Sequence, residues 1–175
     1  MSFFHLLLNK TIHYFPARFA FITKPEVVPN LEMAEELKEL FIENRETHEP
    51  SQDFDVAVQL MESGAYQDCI EVYGMIAQKY PEMQGLCECQ IGAAYFFMKK
   101  YEQALDFYLR ARSSGMDPEM MDDNIWEVCA LQYDLYQQND YLEKYLRNCP
   151  NGKYSDDAMD LLLKGKTEGG ENDIT

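Results

Sequence analysis

The sequence repeats itself with a period of 35 residues through its central part. Positions 35 apart mostly keep the same class of residue (small, aromatic or aliphatic): Ala57 and Gly92, Leu60 and Tyr95, Tyr66 and Tyr101, Cys69 and Ala104, Ile70 and Leu105, Tyr73 and Tyr108, Ile76 and Ala111. A fixed period of roughly 20–50 residues is typical of stacked repeats, in which each unit buries its apolar face against the next. The period therefore favours a repeat architecture.

The repeating segments have the pattern of α-helices. Apolar residues recur at helical spacing in segments of roughly 11–19 residues, with breaks at residues 63–64, 81, 99–100, 114–118, 139–140 and 150–152. An earlier helix is predicted from Leu31, with Asn30 as its N-cap, to about residue 45, followed by a linker over 46–51. Asp140 and Glu143 have the form of a capping box. Ser155 is predicted to cap a last helix that ends near residue 164.

At these residues the chain resembles the tetratricopeptide repeat (TPR) family. The central repeat matches the family's pattern through Ile91, Gly92, Tyr95, Tyr101, Ala104, Tyr108 and Ala111, with Pro118 closing the unit. The preceding repeat matches it through Val56, Ala57, Leu60, Tyr66, Tyr73 and Pro81. A third unit fits at Leu131, Leu135 and Tyr141, but it has Lys144 and Asn148 where the family keeps small and aromatic residues. Residues 145–158 are similar to repeat endings of bacterial members.

The resemblance implies an all-α fold, a short right-handed superhelix of antiparallel helix pairs. This TPR-like α-solenoid would have about three repeats with capping helices. The expected organisation is a basic, aromatic N-terminal arm over residues 1–30, a helical domain over 31–165 and a disordered acidic tail over 166–175. Packing supports this reading, because Gly92 and Ala104 are small where the two helices of a pair are expected to cross closely.

In this family the first helix of each pair turns one face to its partner helix and another to a concave groove. The resemblance assigns to this partner-binding groove Phe54, Val58 and Met61 from the first repeat, Leu86, Cys89, Ala93, Phe96 and Phe97 from the second, and Trp126, Cys129, Tyr133 and Tyr136 from the third. A helix that is apolar on both faces is either buried or a binding surface. Both interpretations stay open: the stripe is a groove for a partner, or it is core that packs on itself or on a dimer mate.

The predicted groove has no Lys or Arg, and this makes it unlike the basic clamp with which some family members hold a C-terminal carboxylate. The groove is predicted to take an apolar or aromatic peptide segment with basic flanks, since the surrounding surface is acidic.

Charge is distributed unevenly along the chain. The net charge is −16, yet residues 1–30 contain Lys10, Arg18 and Lys24 against only Glu26, so the remainder carries −18. Such a field repels nucleic acids and anionic lipids, and neither is a predicted partner. The arm is also apolar, through Phe3, Phe4, Phe15, Phe19, Phe21 and Ile22. It thus has the composition that the groove should bind, which suggests that it fills the groove in cis, or in trans in a homodimer.

The sequence offers no motif for catalysis. His5, His13 and His48 belong to no recognisable catalytic pattern, and there is no Gly-rich phosphate loop. Neighbouring carboxylates such as Asp122 and Asp123 diverge by about 100° on a helix and are expected to be solvated. Five irregularly spaced cysteines, and apolar runs too short to span a bilayer, favour buried thiols and a cytoplasmic protein. We predict no enzymatic activity, no metal and no cofactor.

These features favour a protein-protein interaction module, an adaptor or scaffold that binds one segment of another protein. Two alternatives remain. One is a bacterial secretion-type chaperone for a client protein, because size, acidity and layout resemble those chaperones. The other is a self-assembling structural subunit.

Overall fold

The computed structural model describes residues 29–169, and every regular element in this range is helical, with no strand. The prediction of an all-α fold is therefore confirmed for this part of the chain. The helices are α1 (Leu31–Asn44), α2 (Pro50–Glu62), α3 (Tyr66–Lys79), a short 3₁₀ turn (Pro81–Met83), α4 (Gln84–Phe97), α5 (Tyr101–Ser113), α6 (Pro118–Tyr136), α7 (Asn139–Asn148) and α8 (Ser155–Gly169). Nearly all of the expected arm, and residues 170–175 of the expected tail, lie outside the described range.

Several helix boundaries differ from the predicted ones for identifiable reasons. Asn30 caps α1 as expected, because its side chain accepts a hydrogen bond from the Met33 amide at 3.2 Å. The linker over 46–51 is shorter than predicted, since Pro50 is the first residue of α2, a position that suits the fixed φ of proline. The capping box at Asp140 is wrong, because α7 already begins at Asn139.

The last helix is longer than the sequence suggested. It continues to Gly169, past the expected domain boundary at residue 165 and into the segment predicted to be disordered. A single glycine within a helix costs only about 1 kcal/mol relative to alanine, so Gly165 does not by itself end it.

The chain divides after Met116 into two compact units. In the first unit α1 packs against α2 and α3, and the series continues through α3 with α4 and α4 with α5. Short connections join these neighbours, as in antiparallel helix hairpins. The largest fully buried side chains of this unit are Phe41, Phe54, Leu60, Met61, Tyr73, Ile76, Leu86 and Tyr108.

Helices α4 and α5 cross closely at Gly92. A Cβ atom at this position would lie 2.8 Å from the Tyr108 ring and 3.3 Å from the Ala104 carbonyl oxygen, closer than such contacts allow. The prediction that Gly92 and Ala104 are small because two helices approach there is confirmed. One period earlier, Ala57 and Tyr73 take the places of Gly92 and Tyr108, and both are completely buried.

In the second unit, α7 packs against both α6 and α8. Its core contains Met121, Ile125, Val128, Cys129, Leu142, Tyr145 and Ala158, all inaccessible to solvent.

A buried carboxylate recurs near the start of α2, α4 and α6. Asp53, Glu88 and Asp122 follow one another at spacings of 35 and 34 residues, and each is at most 6% exposed. Each accepts hydrogen bonds from groups at or just beyond the end of the helix that follows it in sequence. We call this arrangement, a buried carboxylate bound by the end of the next helix, an anchor. It occurs three times at nearly the repeat spacing, and it was not predicted from the sequence.

The first two anchors lie in unit 1. Lys79 Nζ and the Tyr80 hydroxyl donate to Asp53 Oδ2 at 2.9 and 3.1 Å, and His48 Nδ1 lies 3.1 Å from Asp53 Oδ1. Although burial lowers it, hydrogen bonds to Tyr80 and Asp53 leave the pKa of Lys79 raised.

The Glu88 anchor has the same form. The Arg110 guanidinium donates to Glu88 Oε1 at 2.9 Å, and the Ser114 hydroxyl donates to Oε2 at 2.7 Å. Both anchors therefore fasten the end of one helix to the start of the helix before it.

The third anchor corrects the expectation for Asp122, which is buried rather than solvated; its neighbour Asp123 is exposed. Asp122 accepts hydrogen bonds from the Tyr145 hydroxyl at 2.9 Å and from the Lys153 amide at 2.7 Å. Burial, together with this hydrogen bond, raises the pKa of Tyr145. Gly152 leaves room for the arrangement, since a Cβ there would lie 2.5 Å from Asp122 Oδ1.

Removing one hydroxyl tests the third anchor. We expect Tyr145→Phe to lower the free energy of unfolding of unit 2 by about 1–3 kcal/mol, because a buried acceptor on Asp122 loses its donor while the ring remains. Trp126, the single tryptophan of the chain, has its ring centroid 5.0 Å from that of Tyr145, so its fluorescence during urea denaturation reports on this unit. Tyr136→Phe is the control, because Tyr136 is 54% exposed. Equal stability of the two variants would contradict the anchor.

Candidate partner-binding face

The groove residues predicted in unit 1 lie on α2 and α4, and most of them are buried. Phe54, Met61, Leu86, Cys89, Ala93 and Phe96 are at most 7% exposed, whereas Val58 and Phe97 are half-buried. We call these eight residues the α2/α4 face. Burial of this degree is compatible with either interpretation of the stripe, as core or as a covered binding surface.

Aromatic contacts fix the edges of the α2/α4 face. The Phe54 ring meets Tyr73 of α3 edge to face, with centroids 5.6 Å apart. Phe97 stacks on Tyr66 of α3, also at 5.6 Å with an interplanar angle of 16°. At the other edge, Phe96 packs edge to face on Tyr101 of α5. These rings position the face against the helices that follow α2 and α4.

Helix α4 is buried around its whole circumference. Gly92 faces α5 and Phe97 faces α3, so these two neighbours occupy two sides of the helix. At 100° per residue, Leu86, Cys89 and Ala93 project between those sides. They are nevertheless only 2–7% exposed. The middle of the face is thus apolar surface that the pairing of α4 with α3 and α5 does not use.

Two buried polar atoms accompany this surface without a hydrogen-bond partner among the described residues. They are the Tyr73 hydroxyl and Gln90 Oε1. Gln90 lies about 20° beyond Phe97 around α4, on the side that faces α3, and is 4% exposed. A buried polar atom without a partner is uncommon and costs free energy. Gln90 therefore belongs to the packing of α4 against α3, at the edge of the α2/α4 face.

The charges beside the face are acidic. Neither α2 nor α4 contains Lys or Arg. Asp55 and Glu62 are exposed on α2 and form no ion pair with any residue between 29 and 169. A ligand of this face would therefore gain from basic groups at its ends.

The third-repeat residues of the predicted groove belong to unit 2. Trp126 is half-buried and stacks on Tyr154, with centroids 5.1 Å apart and planes within 8°. Tyr133 is half-buried, Cys129 is buried, and Tyr136 is exposed near Tyr141, at 5.9 Å between rings. Trp126 therefore contributes to the aromatic packing beside the Asp122 anchor.

Among the described residues, no group of three or more His, Cys, Asp or Glu side chains is arranged to hold a metal ion. All five cysteines are buried and none forms a disulfide. Burial raises the pKa of the Cys69 and Cys87 thiols, and that of Cys89 to about 12. Protonated thiols are poor nucleophiles. His48 lies beside Asp53 in the first anchor, while His5 and His13 lie outside the described range.

Between residues 29 and 169 no helix is both long and apolar enough to cross a bilayer.

Comparison with known proteins adds no assignment. Models of protein families, curated proteins and solved structures were all searched, and none matches this chain.

Proposed function

We propose that this chain is a protein-binding module built from TPR-like helix pairs, and that it holds one segment of a partner on the α2/α4 face. Three observations support the repeat assignment: the 35-residue period, the close crossing at Gly92, and the carboxylate anchors at the same spacing. The single observation that carries the function is the surplus apolar surface of α4, formed by Leu86, Cys89 and Ala93.

Surplus apolar surface of this kind suits a polypeptide ligand. Helix α4 packs on α3 and α5, and its apolar side chains between these two sides form a strip that a further apolar segment can cover. Burying apolar side chains supplies about 25 cal/mol per Å² of affinity before the costs of association. A short apolar segment lying across several such side chains is a common mode of peptide recognition.

The surrounding charge defines the partner further. Asp55 and Glu62 beside the face, within a chain of net charge −16, favour a segment with basic residues on either side of its apolar part. Five buried cysteines without disulfides accord with a reducing compartment, and we place the protein in the cytoplasm.

Val58→Lys tests the face without disturbing the core. Val58 is half-buried, whereas Phe96 packs on Tyr101 and its replacement by a charged residue would damage the fold. We expect Val58→Lys to weaken partner binding about 10- to 100-fold, since the partner loses the burial of one aliphatic side chain and meets a lysine ammonium. The measurement is affinity capture from the native cell with mass spectrometry, followed by titration of the captured partner.

Leu40→Lys is the matched control, because Leu40 is an aliphatic residue of the same unit that is 48% exposed on α1. The partner should be retained by this variant. Equal capture by both variants, with both folded, would show that binding uses another surface. The solubility of the captured protein separates the two protein-binding hypotheses: a chaperone's client is insoluble alone, and an adaptor's partner is not.

A further inference from the structure

We propose that the chain carries its own competitor for this site: residues 15–24 of the N-terminal arm cover the α2/α4 face in cis, and a partner must displace them. The inference rests on the proposed function in one respect, namely that the same face binds the partner. It adds an occupant, and a form of autoinhibition, to that function.

The first argument comes from the burial of α4. Leu86, Cys89 and Ala93 are at most 7% exposed although they project between the sides of α4 that face α3 and α5. Covering such a strip with another apolar segment is favourable, because it removes the apolar side chains from water.

The second argument is chemical complementarity. Residues 15–24 read FPARFAFITK, with Phe19, Phe21 and Ile22 between Arg18 and Lys24. The face offers apolar side chains and, beside them, the exposed carboxylates of Asp55 and Glu62. A segment with an apolar centre and basic ends matches both features.

The third argument is reach. The arm leads directly into Asn30, the N-cap of α1, and α1 packs on α2 and α3 in the same unit. Five residues lie between Lys24 and Asn30, and the six Cα–Cα steps that join them extend to about 20 Å, against a radius of gyration of about 12 Å for a unit of this size. The segment therefore begins close enough to the face to bind it without a second copy.

Cysteine chemistry offers a direct readout, because Cys89 lies in the middle of the face. We compare iodoacetamide labelling of the full chain with labelling of a variant that lacks residues 2–24, mapped site by site by mass spectrometry. Removal of the arm should raise the labelling rate of Cys89 at least about tenfold, since both burial and the raised pKa of this thiol protect it.

Three other thiols are internal controls. Cys87 is completely buried on a different side of the same helix, Cys69 is buried in α3, and Cys149 is buried in unit 2. Their labelling should not change. A free peptide of residues 13–26 added to the shortened chain should restore protection of Cys89, and the same peptide with Phe19→Asp and Phe21→Asp should not.

The possible outcomes are decisive. Unchanged labelling of Cys89 in the shortened chain overturns the proposal. If Cys69 and Cys87 become reactive together with Cys89, the deletion has unfolded unit 1. The full chain with F19D and F21D then decides: selective exposure of Cys89 supports the proposal, and continued protection overturns it. Protection that weakens on dilution of the full chain assigns the covering segment to a second copy and overturns binding in cis.

The arm proposal and the proposed function can fail separately. If Cys89 stays protected in the shortened chain but Val58→Lys still loses the partner, the arm proposal fails and the proposed function stands. If Cys89 becomes exposed but Val58→Lys retains the partner, the arm proposal stands and the proposed function fails.

Discussion

Replacing Asp53 by alanine is expected to lower the free energy of unfolding of unit 1 by about 3 kcal/mol, the largest effect we predict for a single substitution. Asp53 is completely buried, and its carboxylate accepts hydrogen bonds from Lys79 and Tyr80. Alanine removes the buried carboxylate that the ammonium and the hydroxyl share, so that the His48 carbonyl oxygen is the acceptor that both retain, and the hold on the end of α3 is weakened. Urea denaturation followed by far-ultraviolet circular dichroism measures the loss.

Asp55→Ala is the matched control for this prediction. Asp55 lies two residues further along α2, is exposed, and forms no ion pair within the described range. Its replacement should change stability by no more than about 0.5 kcal/mol. If both aspartates prove equally dispensable, the anchor at Asp53 does not stabilise unit 1.

Gly92→Ala is expected to destabilise the same unit by about 2 kcal/mol. The added methyl group would lie 2.8 Å from the Tyr108 ring and 3.3 Å from a backbone oxygen. Tyr108 is 2% exposed and therefore has little room to move. Helices α4 and α5 must separate slightly, which weakens their packing along the whole pair. Hydrogen exchange of amides in α4 and α5 localises the effect.

The control for Gly92 is a second glycine within a helix. Gly74 of α3 has no atom within 4 Å of where its Cβ would lie. Gly74→Ala should therefore stabilise the protein by about 0.5–1 kcal/mol, because alanine loses less conformational entropy in a helix. The two identical substitutions thus have opposite predicted signs. A shared sign would show that the crossing at Gly92 is looser than the structure indicates.

The helices and their pairing were predictable because local and periodic signals agree. Asn30 has the side chain of an N-cap, and the 35-residue period places a tyrosine opposite the small residues Ala57 and Gly92 in each pair. The predicted helix boundaries were wrong where two local sequence signals pointed to different structures. Pro50 was assigned to a linker although proline also suits the first turn of a helix, and Asp140 resembled a cap although it lies one residue inside α7.

The buried carboxylates were missed because residue type predicts solvent exposure for acidic side chains. Asp122 and Asp123 are adjacent and chemically identical, yet one is buried under Tyr145 and the other is exposed. Only their spacing carried a signal: Asp53, Glu88 and Asp122 recur at nearly the repeat period. Periodicity of charge is therefore as informative in such a chain as periodicity of apolar residues.

The candidate site was predictable only in part. The resemblance to the repeat family assigned Leu86, Cys89 and Ala93 to a groove, and the structure places them between the sides of α4 that face α3 and α5. Burial depends on what lies over a residue, which spacing along one helix cannot encode. The sequence therefore left open whether the stripe is core or a binding surface.

The most direct test of the central claim is quantitative affinity capture from the native cell with four forms of the chain: the natural sequence, Val58→Lys, Leu40→Lys and the form lacking residues 2–24. We predict one partner that is lost with Val58→Lys, retained with Leu40→Lys, and captured in larger amount without the arm. Equal recovery of that partner from all four folded proteins would contradict the assignment of the α2/α4 face as the binding site.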